Sequence, residues 1–258
     1  MNPAVEIVPV FEDNYSFVLT LPGKDRAIVV DPGDGDKVWS FLEEKGYALE
    51  AILATHHHFD HVAGIEFLCD KMQVDVYCFK DDLNRVPGAG LGLEDGEEFE
   101  RGGLRFRTLH VPGHTSGHVV YVCGDALLSG DTLFLGGCGR LFEGTPEQMF
   151  HSLYDKILPL PEETRIFAAH EYTVHNRSFC LSIESENVAL KEQLNESKAL
   201  CKKNLPTVPG SLKTEKESNT FLRCREPAVV QAVQAKAPDT SGDPVSVFAA
   251  VRAMRDVY

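Results

Sequence analysis

Residues 53–64 read LATHHHFDHVAG, and between positions 56 and 61 this stretch places four of the chain's ten histidines beside one aspartate. Imidazole nitrogens and carboxylate oxygens are ligands that Zn²⁺, iron and Mn²⁺ share, so His56, His57, His58, Asp60 and His61 read as a metal-binding segment. The competing reading is a surface loop that is merely rich in histidine. The remaining imidazoles and carboxylates decide between them. His114 stands in VPGHTSGH, Asp131 in SGDTLF and His170 in AAHEYT, each just past a run of β-forming residues. Side chains at the carboxyl ends of several strands can converge at one edge of an α/β core. The pattern therefore favours a metal centre over a decorated loop.

The elements that would position these residues alternate. AVEIVPV, SFVLTL, AIVVDPG, EAILAT, VDVYCF, HVVYVC, ALLSG and RIFAAH read as strands, and EEFERGGLRFRTLHV as a hairpin. DKVWSFLEEKGY and HVAGIEFLCDKM carry helical spacing, and TPEQMFHSLYDKIL is a helix capped by Thr145 with Pro146 at its first position. This is a layered α/β arrangement. After about residue 172 the strands vanish: a long polar helix is expected through residues 176–203, then a loop over 204–219, then helices in PAVVQAVQAKA and DPVSVFAAVRAMRDVY. The expected division is 1–172 and 173–258.

A formal charge of −14 repels phosphate backbones and anionic lipid, which argues against nucleic acid and membrane as partners. No apolar run approaches the roughly 18 residues of a membrane span, and the first fifteen residues carry no export signal. The seven cysteines are odd in number and lack CxxC spacing, as suits free thiols in a reducing compartment. The expectation is a cytoplasmic protein.

The arrangement T-H-x-H-x-D-H over Thr55–His61, followed in order by PGHTSGH, SGDTLF and AHEYT, resembles the signature of the metallo-β-lactamase superfamily. That resemblance implies an αββα sandwich of two mixed sheets, here with a C-terminal helical domain. It places one divalent ion on His56, His58 and His114 and a second on Asp60, His61 and His170, with Asp131 bridging them. Zinc is the first expectation, with iron or manganese as alternatives. Two dications and two carboxylates leave a charge of +2, so a bridging water should ionise near neutral pH. Asp60 and Asp131 thus carry the catalytic roles. His57 and Phe59 fill variable positions of the motif; His110, His118, His151 and His175 are expected to be ordinary hydrogen-bonded or surface histidines.

Within the superfamily, FEDNYSFVL, VDPGD, GGCGRLFEGTPEQM, AHEYT and the final DPVSVFAAVRAMRDVY resemble the hydroxyacylglutathione hydrolases (glyoxalase II) over essentially the whole chain. The resemblance implies hydrolysis of S-D-lactoylglutathione to D-lactate and glutathione, as in methylglyoxal detoxification, by a monomer. Glutathione-binding residues are carried over to Arg140, Phe142, Tyr172, Arg252 and Arg255. Phe142 stands where some members have tyrosine, and Arg140 and Arg255 where others have lysine. The i, i+3 spacing puts Arg252 and Arg255 on one helical face, able to meet a carboxylate together. Cys138 reads as a packed small residue rather than a nucleophile. A persulfide dioxygenase or another hydrolase of the superfamily is the alternative; the dioxygenase should lack the arginine-bearing C-terminal segment.

Overall fold

Continuous β-branched runs flanked by turn residues set the architecture of the computed structural model, which describes residues 2–258. The chain forms two compact units: residues up to His110 with Gly117–Gly130, and Val111–Ser116 with Asp131–Tyr258. In the first unit β1 (Ala4–Val10), β2 (Asn14–Thr20), β3 (Arg26–Val30), β4 (Ala48–Leu53), β5 (Asp75–Phe79) and β6 (Leu91–Leu93) lie side by side in that order. The β1–β2–β3 pairings are antiparallel and those from β3 to β6 parallel. Parallel neighbours require crossovers. These are α1 (Gly35–Lys45) before β4, and α2 (Phe59–Val62) with α3 (Ile65–Lys71) before β5.

Ala27, Ile28, Val29 and Val30 of β3 are all fully buried, which marks a strand covered on both faces. Ala27 and Val29 join Val38 and Leu42 of α1 and Ile65 and Leu68 of α3 in one apolar cluster. Each aliphatic side chain buried there contributes roughly 1.5–3 kcal/mol. Asp34 caps α1 by accepting from Lys37 N at 3.1 Å, and Gly46 ends it at φ 67°. The same unit holds an antiparallel meander of β7 (Glu98–Arg101), β8 (Leu104–His110), β9 (Val119–Cys123) and β10 (Ala126–Gly130). Tyr121 of β9 donates its hydroxyl to Ala54 O at 2.9 Å, tying the meander to the residue after β4.

The first strands of the second unit form the short hairpin β11 (Leu133–Phe134) and β12 (Gly137–Cys138). Next come α4 (Pro146–His151), β13 (Arg165–Ala168), α5 (Thr173–Ile183), α6 (Val188–Cys201), β14 (Gly210–Ser211), α7 (Leu212–Ser218), α8 (Pro227–Lys236) and α9 (Pro244–Asp256). Glu215 of α7 is fully buried and accepts from Gly136 N, Asn219 Nδ2 and Arg177 Nη2 at 2.7, 3.0 and 3.1 Å. One carboxylate therefore joins the β11–β12 turn to α5 and α7.

Several expectations about elements are corrected. The helix expected over residues 61–72 is broken at Gly64, whose N–H donates to Pro32 O rather than continuing a ladder. The long polar helix ends at Ile183 and restarts at Val188. Glu184 leaves the helix to accept from Thr220 Oγ1 and Arg223 Nε, and Asn187 caps α6 through Leu190 N. Strands do not vanish after residue 172, because β14 pairs with β13, and the expected loop over 204–219 contains α7. The capping box at Thr145 forms as its sequence suggests, but the helix widens into a π-helical stretch over Ser152–Ile157.

Candidate metal centre

In the first unit the turn after β4 carries His56, His58, Asp60 and His61, with α2 opening at Phe59. His56 and His61 are each 1% exposed. The rings of His56 and His58 lie 4.6 Å apart between centroids, and those of His56 and His61 4.1 Å. His56 and His58 bring ligand nitrogens within 4.8 Å of one another, as do His56 and His61. His61 Nε2 is 3.6 Å from Asp60 Oδ2.

The partners of these rings fix their tautomers. Asp31 directly follows β3 and is 2% exposed. Its Oδ1 accepts from Thr55 N at 2.7 Å, and its Oδ2 from Thr55 Oγ1 at 2.7 Å and His61 Nδ1 at 3.0 Å. A carboxylate only accepts, so His61 carries its proton on Nδ1 and presents the Nε2 lone pair. Thr55 already donates its hydroxyl hydrogen to a bond with Asp31, so at 3.1 Å from His56 Nδ1 its oxygen can only accept. His56 is then also protonated on Nδ1. Asp60 is oriented in the same manner, by a hydrogen bond from Asn14 Nδ2 at 2.8 Å. The fully buried His118 stacks on His56 at 4.7 Å and 20°. Gly33 lets the Asp31 loop approach this turn, since a Cβ there would fall 2.1 Å from Asp60 O.

In the second unit His114 stands on the loop of Val111–Ser116, Asp131 just before β11, and His170 two residues beyond β13. All three are buried, and Asp131 Oδ2 lies 3.4 Å from His114 Nε2 and 3.3 Å from His170 Nε2. His114 Nδ1 donates to Arg140 O at 2.7 Å, which leaves the lone pair on Nε2. That lone pair faces a carboxylate oxygen at 3.4 Å, a repulsive arrangement unless a cation or an added proton stands between them. Each unit thus contributes a His/Asp cluster with nitrogen and oxygen donors, oriented lone pairs and partners behind the rings, which is what a divalent ion requires.

A cavity of about 230 Å³ opens nearby in the second unit, lined by Arg140, Tyr172, Asn176, Arg252, Arg255 and Asp256 among others. Arg252 donates to Cys138 O at 2.8 Å, and Arg255 directs Nε and Nη2 to Asn176 Oδ1 at 3.3 and 3.1 Å. Burial, and then the Arg252 charge, lower the pKa of Arg255. Tyr172 stacks on His170 at 4.8 Å and 10°. Phe142 does not line this cavity; it is 61% exposed and meets His114 edge-on at 5.3 Å. Burial pushes the Cys138 thiol up to about 11 despite Arg252 beside it, so the thiol is not an activated nucleophile.

The model of the metallo-β-lactamase superfamily matches residues 10–170, and that of the hydroxyacylglutathione hydrolase C-terminus matches 171–258. A hydroxyacylglutathione hydrolase of Alkalilimnicola ehrlichii is 45% identical over 251 residues, covering 96% of this chain and 97% of that protein. The chain belongs to the hydroxyacylglutathione hydrolase family. Among solved structures, the B3 metallo-β-lactamase BLEG-1 shares the fold, with a TM-score of 0.66 at 24% identity over 85% of this chain and 99% of that one. The di-iron-bound form of TTHA1623 has a TM-score of 0.52 at 30% identity, covering 66% of this chain and 92% of that one. The αββα fold of two mixed sheets with a helical C-terminal region, and the hydrolase activity class, thus hold as the sequence resemblance implied. No helix among the described residues is long and apolar enough to cross a membrane.

In this chain, sequence reasoning missed the residues behind the donors. Asp31 and Asn14 lie inside VDPGD and FEDNY, segments that carry the resemblance, but their roles depend on which ring or carboxylate they touch. His57, at a variable motif position, accepts from Arg85 Nη2 at 2.5 Å and faces Asp82 Oδ2 at 3.5 Å. It therefore has partners of its own in Arg85 and Asp82.

Proposed function

We propose that this protein hydrolyses glutathione thioesters, S-D-lactoylglutathione to D-lactate and glutathione, at a centre of two divalent ions held by His56, His58, Asp60, His61, His114, Asp131 and His170. Family membership, the donor chemistry of both clusters and their fixed tautomers support this reading. When bound, such ions supply a hydroxide nucleophile at neutral pH and Lewis acidity toward the thioester carbonyl. Zinc is the foremost ion for an all-nitrogen and oxygen set, with iron or manganese able to replace it according to supply.

The chain's own residues do the rest. Asp31 and Thr55 hold the His61 and His56 rings protonated on Nδ1, which leaves their Nε2 lone pairs as donors. Asn14 steadies Asp60, and the Arg140 carbonyl steadies His114. Arg140, Arg252 and Arg255 receive the carboxylates of the glutathione moiety, with Tyr172 beside them and Phe142 at the exposed edge. The departing glutathione sulfur needs no general acid, since a thiol of pKa about 8.5 leaves as thiolate. Seven free thiols suit the reducing cytoplasm, and we read the working form as a monomer.

The observation that carries this reading is the arginine-lined cavity, a local cationic site in a chain of net charge −14. The test couples metal analysis of the purified protein to an assay of S-D-lactoylglutathione hydrolysis. Two divalent ions per chain and thiol release are expected. Full metal content without thioester turnover would refute the assignment, and so would near-normal turnover by an Asp131→Ala variant.

A further inference from the structure

Among the three guanidinium groups of the cavity stands one carboxylate. Asp256 Oδ1 accepts from Arg252 Nη2 at 3.1 Å and from Arg140 Nε at 3.3 Å. Its position is the last turn of α9, where the carbonyl end of a helix disfavours an anion. Arg252 and Arg255 have further supports besides it. Arg252 is 6% exposed, donates to Cys138 O and lies over the Phe221 ring at 5.3 Å. Arg255 is held by Asn176 and lies over Phe179 at 5.9 Å. Asp256 is the carboxylate partner both of Arg140, whose side chain is 58% exposed, and of the buried Arg252. The carboxylate thus compensates two of the three charges, and it stands where an incoming anion would be received.

We propose that Asp256 is an internal carboxylate occupying the anion seat between Arg140 and Arg252, in competition with a carboxylate of the bound glutathione moiety, and that it thereby sets the affinity of the pocket. This rests on the function proposed above. Removing the charge has two opposed effects, and their sizes decide the sign. Loss of the exposed ion pair to Arg140 weakens the arrangement by less than about fivefold, whereas loss of the pair to buried Arg252 leaves a charge that an incoming carboxylate compensates. Loss of repulsion between two carboxylates about 5 Å apart, at an effective dielectric between about 20 and 80, strengthens binding by about fourfold at least and on the order of tenfold or more. The second effect wins. Glutathione keeps both carboxylates after hydrolysis, so the pocket holds substrate and product alike. Such uniform binding moves KM and product inhibition rather than the chemical step. Asp256 therefore trades substrate affinity for release of glutathione.

The test compares the metal-loaded wild type with Asp256→Asn and Asp256→Glu. Calorimetry measures binding of glutathione and of its diethyl ester, which lacks both carboxylates, and kinetics give KM and kcat for S-D-lactoylglutathione. Asp256→Asn should bind glutathione about three- to tenfold more tightly and show a parallel fall in KM, with no comparable rise in kcat. The gain should be absent for the diester, and Asp256→Glu should stay near wild type. Circular dichroism spectra and metal content equal to wild type exclude a folding defect as the source. An unchanged or weaker affinity for glutathione in Asp256→Asn, or an equal gain for the diester, overturns this role for Asp256 and leaves the thioesterase reading standing. A wild type that neither binds glutathione nor cleaves its thioester overturns both.

Discussion

Replacing Asp31 by asparagine tests whether the proposed metal ligands depend on tautomers imposed from behind. Asp31 accepts three hydrogen bonds, from Thr55 N and Thr55 Oγ1 at 2.7 Å each and from His61 Nδ1 at 3.0 Å. All come from donors, and an amide can meet them with only one oxygen. Either orientation of the amide sets an N–H₂ group against a donor. If the oxygen keeps Thr55 N, the amide nitrogen faces His61 Nδ1, whose proton must move to Nε2, the atom turned toward Asp60. If the oxygen takes the imidazole, Thr55 N–H loses its acceptor in a buried site. Asparagine is the right probe because Asp31 sits at φ 51°, which asparagine tolerates better than most residues. Backbone strain is then not the cause of what is measured.

Charge-assisted bonds contribute about 1.5–3 kcal/mol each, and one of the three survives in part, so the metal-free variant should lose about 2–4 kcal/mol of stability. Loss of a carboxylate behind a ligating histidine typically costs 10- to 100-fold in metal affinity. Urea unfolding of the metal-free proteins reads the first quantity. Dialysis against buffers of graded free zinc, followed by metal analysis, reads the second. One ion should be lost at free-metal levels where wild type keeps two. Wild-type metal retention alongside the expected loss of stability would refute the tautomer argument, because the hydrogen bonds would then be structural only.

Gly130→Ala should cost at least about 2 kcal/mol in unfolding free energy, because the residue sits at φ 49° and a Cβ would fall 2.5 Å from Thr55 Oγ1 and 2.8 Å from the His118 ring; a wild-type unfolding midpoint would disprove that packing. Arg177→Met leaves Glu215 buried without its cation and should destabilise by about 3–5 kcal/mol, measured by chemical denaturation, and a cost under about 1 kcal/mol would remove the ion pair from the fold's supports. Burial pushes Cys78 and Cys180 up to about 12 and Cys138 to about 11, from an ordinary 9.0. These thiols stay protonated in the folded protein while those of the unfolded chain ionise, so stability is full below about pH 9 and falls above it, up to about pH 11 for Cys138 and about pH 12 for Cys78 and Cys180, by up to about 1.4 kcal/mol per pH unit for each thiol. Melting temperatures across that range should fall steeply in wild type and less in Cys→Ala variants; equal slopes would show that other groups govern the alkaline limit.

Strands were the most legible part of the fold. Runs such as AIVV and AILAT have no polar face, which leaves burial on both sides of a sheet as the natural reading, and Ala27–Val30 are buried in that way. The helical half was read less well, for a physical reason. Residues 176–203 carry helical composition throughout, and nothing local says that Glu184 leaves the helix. It does so for Thr220 Oγ1 and Arg223 Nε, partners nearly forty residues away. The short α7 was hidden in the same manner, since its buried Glu215 reads as one more surface charge until Arg177 and Gly136 N are placed around it.

The candidate site divides along a similar line. Ligand types announce themselves, because few other tasks gather imidazoles and carboxylates at such spacing. The residues that make those ligands usable do not. Asp31, Thr55 and Asn14 are ordinary polar residues whose contribution is a direction: which nitrogen carries the proton, and which oxygen faces the donors. Direction follows from contacts between β3, the turn after β4 and the start of β2, brought together by pairing of their strands. A sequence can therefore disclose a set of donors while concealing the protonation pattern on which their chemistry depends. The same holds for Asp256, which by composition subtracts one charge from a cationic helix end and by geometry stands in the seat where an incoming carboxylate would be received.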